Sequence, residues 1–159
     1  MKSIYYTGLS FIVLGFSNCF SVFYTVYTER ELQQKINQFV VVFAVFAEHE
    51  NNETGKFVKA KMRKLSQDSD FNETSGHELK FCFLFVKIDT PHLKEHAQSL
   101  GYSGNPLFVL YDSKKLVAKS DFMNATNKTH YYTVRGFKKF IHDKVGKTVY
   151  DPKIDDELE

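Results

Sequence analysis

Residues 39–65 read FVVVFAVFAEHENNETGKFVKAKMRKL, and this stretch decides the fold. Its first eight residues are all apolar and contain no helix breaker, as expected for a central parallel strand that is covered on both faces. A polar turn follows at residues 49–54. Thr54 is then predicted to cap a helix whose apolar positions share one face: Phe57, Val58, Met62 and Leu65.

The segments on either side of this stretch predict a second helix and a second strand. Thr28 and Glu31 form a capping box, which predicts a helix over residues 29–38. Residues 79–88, LKFCFLFVKI, are again mostly apolar with little alternation. They predict another strand in the middle of a sheet.

A third helix is bounded by recognisable signals at both ends. Thr90 is its predicted cap and Pro91 its first residue, where a missing backbone N–H costs nothing. Gly101 suits the left-handed conformation that follows a helix end.

The last part of the domain predicts a hairpin and a closing helix. Residues 107–111 form a third strand, and residues 112–115 form a turn that lacks the usual glycine. Residues 116–118 are then an antiparallel fourth strand, and a short fifth strand is predicted within residues 121–132. Thr133 is expected to cap the final helix.

Composition excludes several classes of function. The chain has 159 residues, enough for one domain, and a net charge of only +2, which gives no support to nucleic-acid binding. Its two cysteines, Cys19 and Cys82, fit neither a Cys-x-x-Cys motif nor a zinc site. No cofactor and no metal are expected.

The N-terminal segment predicts a targeting signal or an anchor. Between Lys2 and Glu29 no residue is charged. A short apolar core followed by small residues is typical of a signal peptide over residues 1–21, cleaved after Cys19 or Ser21. The alternative is a retained membrane anchor over residues 4–27. At the other end, residues 147–159 form an acidic tail.

Four Asn-x-Thr sequences indicate possible N-glycosylation, where composition alone predicts about one. The acceptor residues would be Asn52, Asn72, Asn124 and Asn127. They favour the secretory pathway, either the lumen of the endoplasmic reticulum or the exterior. Fortuitous matches in polar loops are the alternative.

Four local features together carry a resemblance to a known family. They are the apolar strand with its polar turn, Lys87-Ile88-Asp89 before the third helix, the Leu100–Gly104 segment, and Asn105-Pro106 before the hairpin. The chain resembles the thioredoxin fold over residues 29–146, and more particularly the non-catalytic domains of the protein disulfide isomerase family. The resemblance implies an α/β fold, with a mixed sheet of four to five strands flanked by about four helices. It also implies a cis Asn105-Pro106 peptide bond.

The chain departs from that family at the redox centre. The positions that match Cys-x-x-Cys fall within residues 49–53, where there is no cysteine. Cys82 is expected to be a buried strand residue, so disulfide oxidoreductase activity does not carry over. His92 and His96 match the letters of an H-x-x-E-H zinc motif, but no third ligand is evident, so a solvated helix face is the expectation.

Two functions remain from the sequence. The first is a redox-inactive, chaperone-like module that binds a polypeptide client or partner. Its surface would be formed by His49, Glu50, Asn51, Asn52, Gly104, Asn105 and Pro106. The second is an accessory subunit, tethered to a membrane with its domain on the lumenal side. An enzyme with a non-thiol site is the least favoured reading.

Overall fold

A computed structural model describes residues 21–48, 52–68, 71, 81–124 and 126–145. Cys19, His49, Glu50, Asn51 and Asn72 lie outside these residues, as do residues 1–20 of the predicted N-terminal segment and the whole predicted tail, 147–159. The elements are, in chain order, β1 Val22–Val26, α1 Glu29–Gln38, β2 Val41–Ala47, α2 Glu53–Ser66, β3 Phe81–Lys87, α3 Pro91–Ser99, β4 Leu107–Asp112, β5 Lys115–Ser120 and α4 Val134–Val145.

The strands form one sheet in the order β1-β3-β2-β4-β5. The first three are parallel to one another, while β4 is antiparallel to β2 and β5 is antiparallel to β4. Because β2 has a neighbour on both sides and helices on both faces, all of its residues are buried. This position explains its unbroken apolar sequence, and the predicted mixed α/β sheet is confirmed.

Each face of the sheet is covered by two helices. Alternate residues of β2 point to opposite sides, so that Val42 and Ala44 join the core beneath α1 and α3, while Val41 and Phe43 join the core beneath α2 and α4. The second core is rich in phenylalanine rings; Phe43, for example, stacks on Phe108 with 5.7 Å between the ring centroids. Apolar burial on both faces fixes the register of the strands.

The strand β1 was not predicted. Val22–Val26 lies beside β3, with Val22 opposite Cys82. Ser21, just before the strand, is buried and its Oγ donates a hydrogen bond to the carbonyl oxygen of Ser66. The sequence VFYTV is rich in β-formers, but it continues an uncharged apolar stretch and therefore could not be separated from the leader. Within the described part of the chain, no helix is both long enough and apolar enough to cross a bilayer.

The start of α2 corrects the sequence prediction. The cap is Asn52 and not Thr54, since Asn52 Oδ1 accepts a hydrogen bond from the backbone N–H of Gly55 at 2.6 Å. The earlier start places Glu53 in the first turn, where a negative charge is favourable. Phe57, predicted to be buried, is 50% exposed because it lies about 100° around the helix from buried Val58.

The other predicted helix boundaries are confirmed. The Thr28 hydroxyl accepts a hydrogen bond from Glu31 N at 3.2 Å, and the Thr133 hydroxyl accepts one from Gly136 N at 2.9 Å. The third helix does begin at Pro91, although the side chain of Thr90 makes no capping bond. Gly101 has a φ of +101°, as its predicted left-handed role requires.

The hairpin between β4 and β5 turns without glycine. Ser113 and Lys114 have φ values of 52° and 69°, so both occupy the left-handed region of a type I′ turn. The short strand expected within residues 121–132 is reduced to one bridge between Met123 and His130.

Candidate functional site

The topology brings two separate chain segments to one edge of the sheet. The parallel strands end there, and β2 ends at Ala47. Because β4 runs antiparallel to β2, with Leu107 opposite Phe46, β4 begins at this same edge. Residues 104–106 therefore lie close to Glu48, which follows β2, and to Asn52, which precedes α2. We call this side of the sheet the carboxyl edge.

A small cavity lies between these two segments. Its volume is about 110 Å³. The lining residues are Ala47, Glu48, Asn52, Thr54, Gly55, Tyr102, Gly104, Asn105 and Pro106. Four of the residues predicted to bind a partner, Asn52 and residues 104–106, are thus brought together. The other three, residues 49–51, lie outside the described residues.

Glycine and proline shape the wall that faces Asn52. Gly104 has a φ of +107°, which residues with a side chain rarely adopt, although a Cβ there would meet no atom within 4 Å. Glycine is therefore required at this position by the positive φ angle of the backbone, and not because a side chain would clash with neighbouring atoms. Pro106 is buried, while Asn105 is exposed.

The Asn105-Pro106 peptide bond is trans, so the cis bond implied by the family resemblance is wrong. Trans is the intrinsically favoured isomer of an X-Pro bond. The chain changes direction at Gly104, one residue before this dipeptide.

The predicted binding residues did not include three polar residues that line the cavity: Glu48, Thr54 and Tyr102. Glu48 Oε1 lies 3.0 Å from Lys94 Nζ of α3, and the Glu48 side chain is 32% exposed. Burial raises the pKa of Tyr102, and the Glu48 carboxylate raises it further, while a hydrogen bond with the Glu48 backbone partly offsets both. A polar residue at the end of a buried strand was the available signal for Glu48.

The described cysteine lies far from the cavity. Cys82 is the second residue of β3, is 1% exposed and pairs with Val42, whereas Ala47 at the carboxyl edge pairs with Lys87. Five residues of extended strand separate these two pairs, or about 16 Å. Burial raises the pKa of the Cys82 thiol to about 12, against a smaller opposing effect of the Lys35 charge. Cys82 is thus a buried strand residue, as the sequence predicted.

The histidines of α3 differ from the expected solvated face. His92 is exposed, but His96 Nε2 is buried without a hydrogen-bond partner, and its ring packs 5.9 Å from that of Phe46. The side chain of His96 therefore contributes to packing. Among the described residues, no three His, Cys, Asp or Glu side chains are grouped as a metal site would require.

The acceptor asparagines in the described ranges all use their side-chain oxygen. Asn52 caps α2 through Oδ1. Asn124 Oδ1 accepts from Thr126 N at 2.8 Å, and Asn127 Oδ1 accepts from the Thr129 hydroxyl at 2.7 Å. A glycan would attach through the nitrogen, so these bonds are compatible with modification.

The arrangement of strands and helices is the thioredoxin-like fold. Solved structures similar to the chain are thioredoxins. A mutant thioredoxin of Halobacterium salinarum is 16% identical with a TM-score of 0.57, covering 87% of this chain and 100% of its own. A thioredoxin of Malassezia sympodialis is also 16% identical, with a TM-score of 0.53 and coverage of 78% and 90%.

Mitochondrial thioredoxin 3 of Saccharomyces cerevisiae is 16% identical with a TM-score of 0.51, covering 75% of this chain and 94% of its own. No protein-family model and no curated protein sequence matches the chain. At such low identity these likenesses establish the fold alone, and they do not extend to the activity of thioredoxins.

Proposed function

We propose that this protein is a redox-inactive, chaperone-like module that binds extended polypeptides at the carboxyl edge of its sheet. The observation that carries the proposal is the cavity, in which Asn52 meets residues 104–106 from a distant part of the chain. The finer resemblance to non-catalytic domains of the protein disulfide isomerase family supports the same function.

The distribution of cysteines argues against thiol chemistry. Disulfide exchange needs an accessible thiolate, and a dithiol mechanism needs a second cysteine to resolve the mixed disulfide. No cysteine occurs between residues 48 and 55, and Cys82 is buried with its pKa raised to about 12. We therefore expect no disulfide oxidoreductase activity.

The size of the cavity favours a polypeptide over a small metabolite. Pockets for small molecules commonly measure about 300–1,000 Å³, whereas this cavity measures about 110 Å³ and has an exposed wall at Gly104 and Asn105. It has room for the end of one side chain. An extended peptide can lie along the exposed backbone of that wall and place one side chain in the cavity.

The proposed setting is the secretory pathway. The segment 1–21 resembles a signal peptide, and the Asn-x-Thr sequences occur more often than composition predicts. Cleavage after Cys19 would keep Ser21 and its hydrogen bond to Ser66, whereas cleavage after Ser21 would remove it. We therefore favour Phe20 as the first residue of the mature protein, which N-terminal sequencing of material isolated from its source would test.

Binding of a fluorescent unstructured peptide, measured by anisotropy, tests the proposal. Asn105→Trp places a large side chain at an exposed lining position and should weaken binding at least fivefold. Ser103→Trp is the matched control, because Ser103 is exposed but does not line the cavity. No binding to the native protein, or equal losses in the two variants, would contradict the proposal. Reduction of insulin disulfides by the purified protein would contradict its redox-inactive part.

A second candidate function is a membrane-tethered accessory subunit. One observation favours it: β1 begins at Val22, and residues 3–21, which directly precede it in the sequence, carry no charge. If that segment is retained as an anchor, the domain lies against the bilayer surface. Recovery of the protein in the membrane pellet after alkaline carbonate extraction would support this candidate, and release into the supernatant would exclude a retained anchor.

A further inference from the structure

The cavity at the carboxyl edge has an uneven distribution of charge. Of its nine lining residues, all within the described ranges, Glu48 alone carries a formal charge. The neutral walls add oxygen atoms that can accept hydrogen bonds, on the side chains of Asn52, Thr54, Asn105 and Tyr102. A positively charged group therefore finds both a carboxylate and neutral acceptors there.

The positive end of the α2 dipole does not reverse this preference. Asn52 Oδ1 already accepts the hydrogen bond of the Gly55 N–H, so that donor is occupied. Glu53, the first residue of α2, places a further negative charge at the same helix end. The cavity is thus better suited to a cation than to an anion.

Lys94 is a cation that already contacts Glu48, and a guest cation can share the carboxylate with Lys94 or displace it. The two side chains are 50% and 32% exposed, and a pair this accessible to water contributes little stability. A carboxylate also has two oxygens with about four acceptor positions, so it can bind several donors at once, and Lys94 need not leave.

The charge of Glu48 acts within the cavity and not only on Lys94. Tyr102 lines the same space and makes a hydrogen bond with the Glu48 backbone; burial raises the pKa of Tyr102, and the Glu48 carboxylate raises it further. A guest side chain beside Tyr102 would therefore experience the same negative charge.

We infer that the cavity receives a lysine or arginine side chain of the bound polypeptide, with the Glu48 carboxylate as its partner. This inference rests on the proposed peptide-binding function and adds the chemical class of the side chain that is preferred. The cavity volume of about 110 Å³ limits the guest to the end of one such side chain and a few water molecules.

The experiment compares two labelled peptides that differ at one position, arginine in one and its neutral isostere citrulline in the other. The native full-length protein should bind the arginine peptide about fivefold more tightly than the citrulline peptide. The strongest ion pairs of this degree of exposure change an affinity by about this factor. The preference should shrink as salt is raised.

Three variants test whether Glu48 is the source of the preference for arginine. Glu48→Gln should bind the two peptides equally while keeping its affinity for the citrulline peptide. Lys94→Gln should increase the preference for arginine, because it removes the competing cation. Glu95→Gln is the matched control, since Glu95 of α3 is exposed, follows Lys94 in the sequence and does not line the cavity, and it should keep the preference. Thermal unfolding verifies that each variant is folded.

The outcomes separate this inference from the function on which it rests. If the native protein binds neither peptide, the proposed function itself fails. If it binds both equally, or if Glu48→Gln keeps the preference, peptide binding stands and the role of Glu48 is wrong. Loss of the preference in Glu95→Gln as well would mean that general surface charge, and not the cavity, selects the cation.

Discussion

Thiol chemistry needs a cysteine at an accessible position. The cavity at the carboxyl edge and the surroundings of Cys82 each meet one of these two requirements. The cavity is open and polar, but its residues include no cysteine. Cys82 supplies a thiol, but it is buried within β3 among apolar side chains. Within the described residues, the accessible cavity therefore has no thiol and the one thiol is not accessible, so the fold alone is a poor guide to the chemistry.

The difference also separates stability from binding. Cys82 behaves as a small apolar side chain that helps to fill the core beneath α1 and α3. The cavity residues lie where strands end and a helix begins, and their side chains are partly available to a partner. Changes at the first place should therefore alter the free energy of unfolding, and most changes at the second should alter binding.

The largest expected effect concerns the reactivity of Cys82. Its pKa is raised from 9.0 to about 12, so at neutral pH the thiolate fraction is about a thousandfold lower in the folded protein than in the unfolded chain. Alkylation by iodoacetamide, followed by mass spectrometry, should be slower by about that factor without denaturant. Fast labelling of Cys82 in the folded protein would show that Cys82 is as accessible as the cavity and would contradict this comparison.

Alkaline pH should destabilise the fold through the same group. Because the folded pKa of Cys82 lies above the unfolded value, its contribution is complete below pH 9 and is lost as pH rises toward 12. The loss is about 1.4 kcal/mol per pH unit within that window. Tyr111 and Tyr132, whose pKa values burial also raises to about 12, add to the decline above pH 10.

Urea unfolding measured at several pH values tests this dependence. Cys82→Ala is the control variant, and its free energy of unfolding should fall less steeply between pH 9 and 12. An equal slope in the variant and the native protein would show that Cys82 contributes no such dependence.

Making Cys82 polar should cost more than shortening it. Cys82→Ser places a hydroxyl among apolar side chains and should lower the free energy of unfolding by about 1–3 kcal/mol. Cys82→Ala, with no polar atom to bury, should cost less, at about 1 kcal/mol. Denaturant unfolding measures both, and a serine variant as stable as the native protein would mean that this site is less apolar than the structure indicates.

The smallest effect is expected at the start of α2. Asn52→Ala removes the capping oxygen from Gly55 N and should lower the free energy of unfolding by about 1 kcal/mol. Thr54→Ala is the matched control, and it should change stability by less than about 0.5 kcal/mol. A larger loss of stability in Thr54→Ala than in Asn52→Ala would indicate that Thr54 is the cap and that the helix begins after it.

The sequence predicted most of the fold because its strongest signals are local. Continuous apolar residues identified β2 and β3, and capping residues marked α1 and α4. The strand β1 was not predicted, because it forms a strand through its pairing with β3, and no local sequence pattern indicates that pairing. Asn52 and Thr54 are both good caps in sequence, and the structure chooses between them.

The site was predicted only in part. Asn52 and residues 104–106 came from the family resemblance, and the antiparallel register of β2 and β4 does bring them together. That register also brings in Glu48 and Tyr102, which sequence spacing alone does not relate. The cis proline came from the resemblance alone, and that prediction was wrong for this chain.

The most direct test of the central claim is a ¹⁵N-¹H NMR titration of the protein with an unstructured, arginine-containing peptide. Peptide binding at the carboxyl edge predicts that the amide signals of Asn52, Tyr102 and Gly104 move, while those of Cys82 and of the hairpin residue Lys114 stay in place. Signals that move only around the hairpin or along β3, or no movement at saturating peptide, would contradict the account.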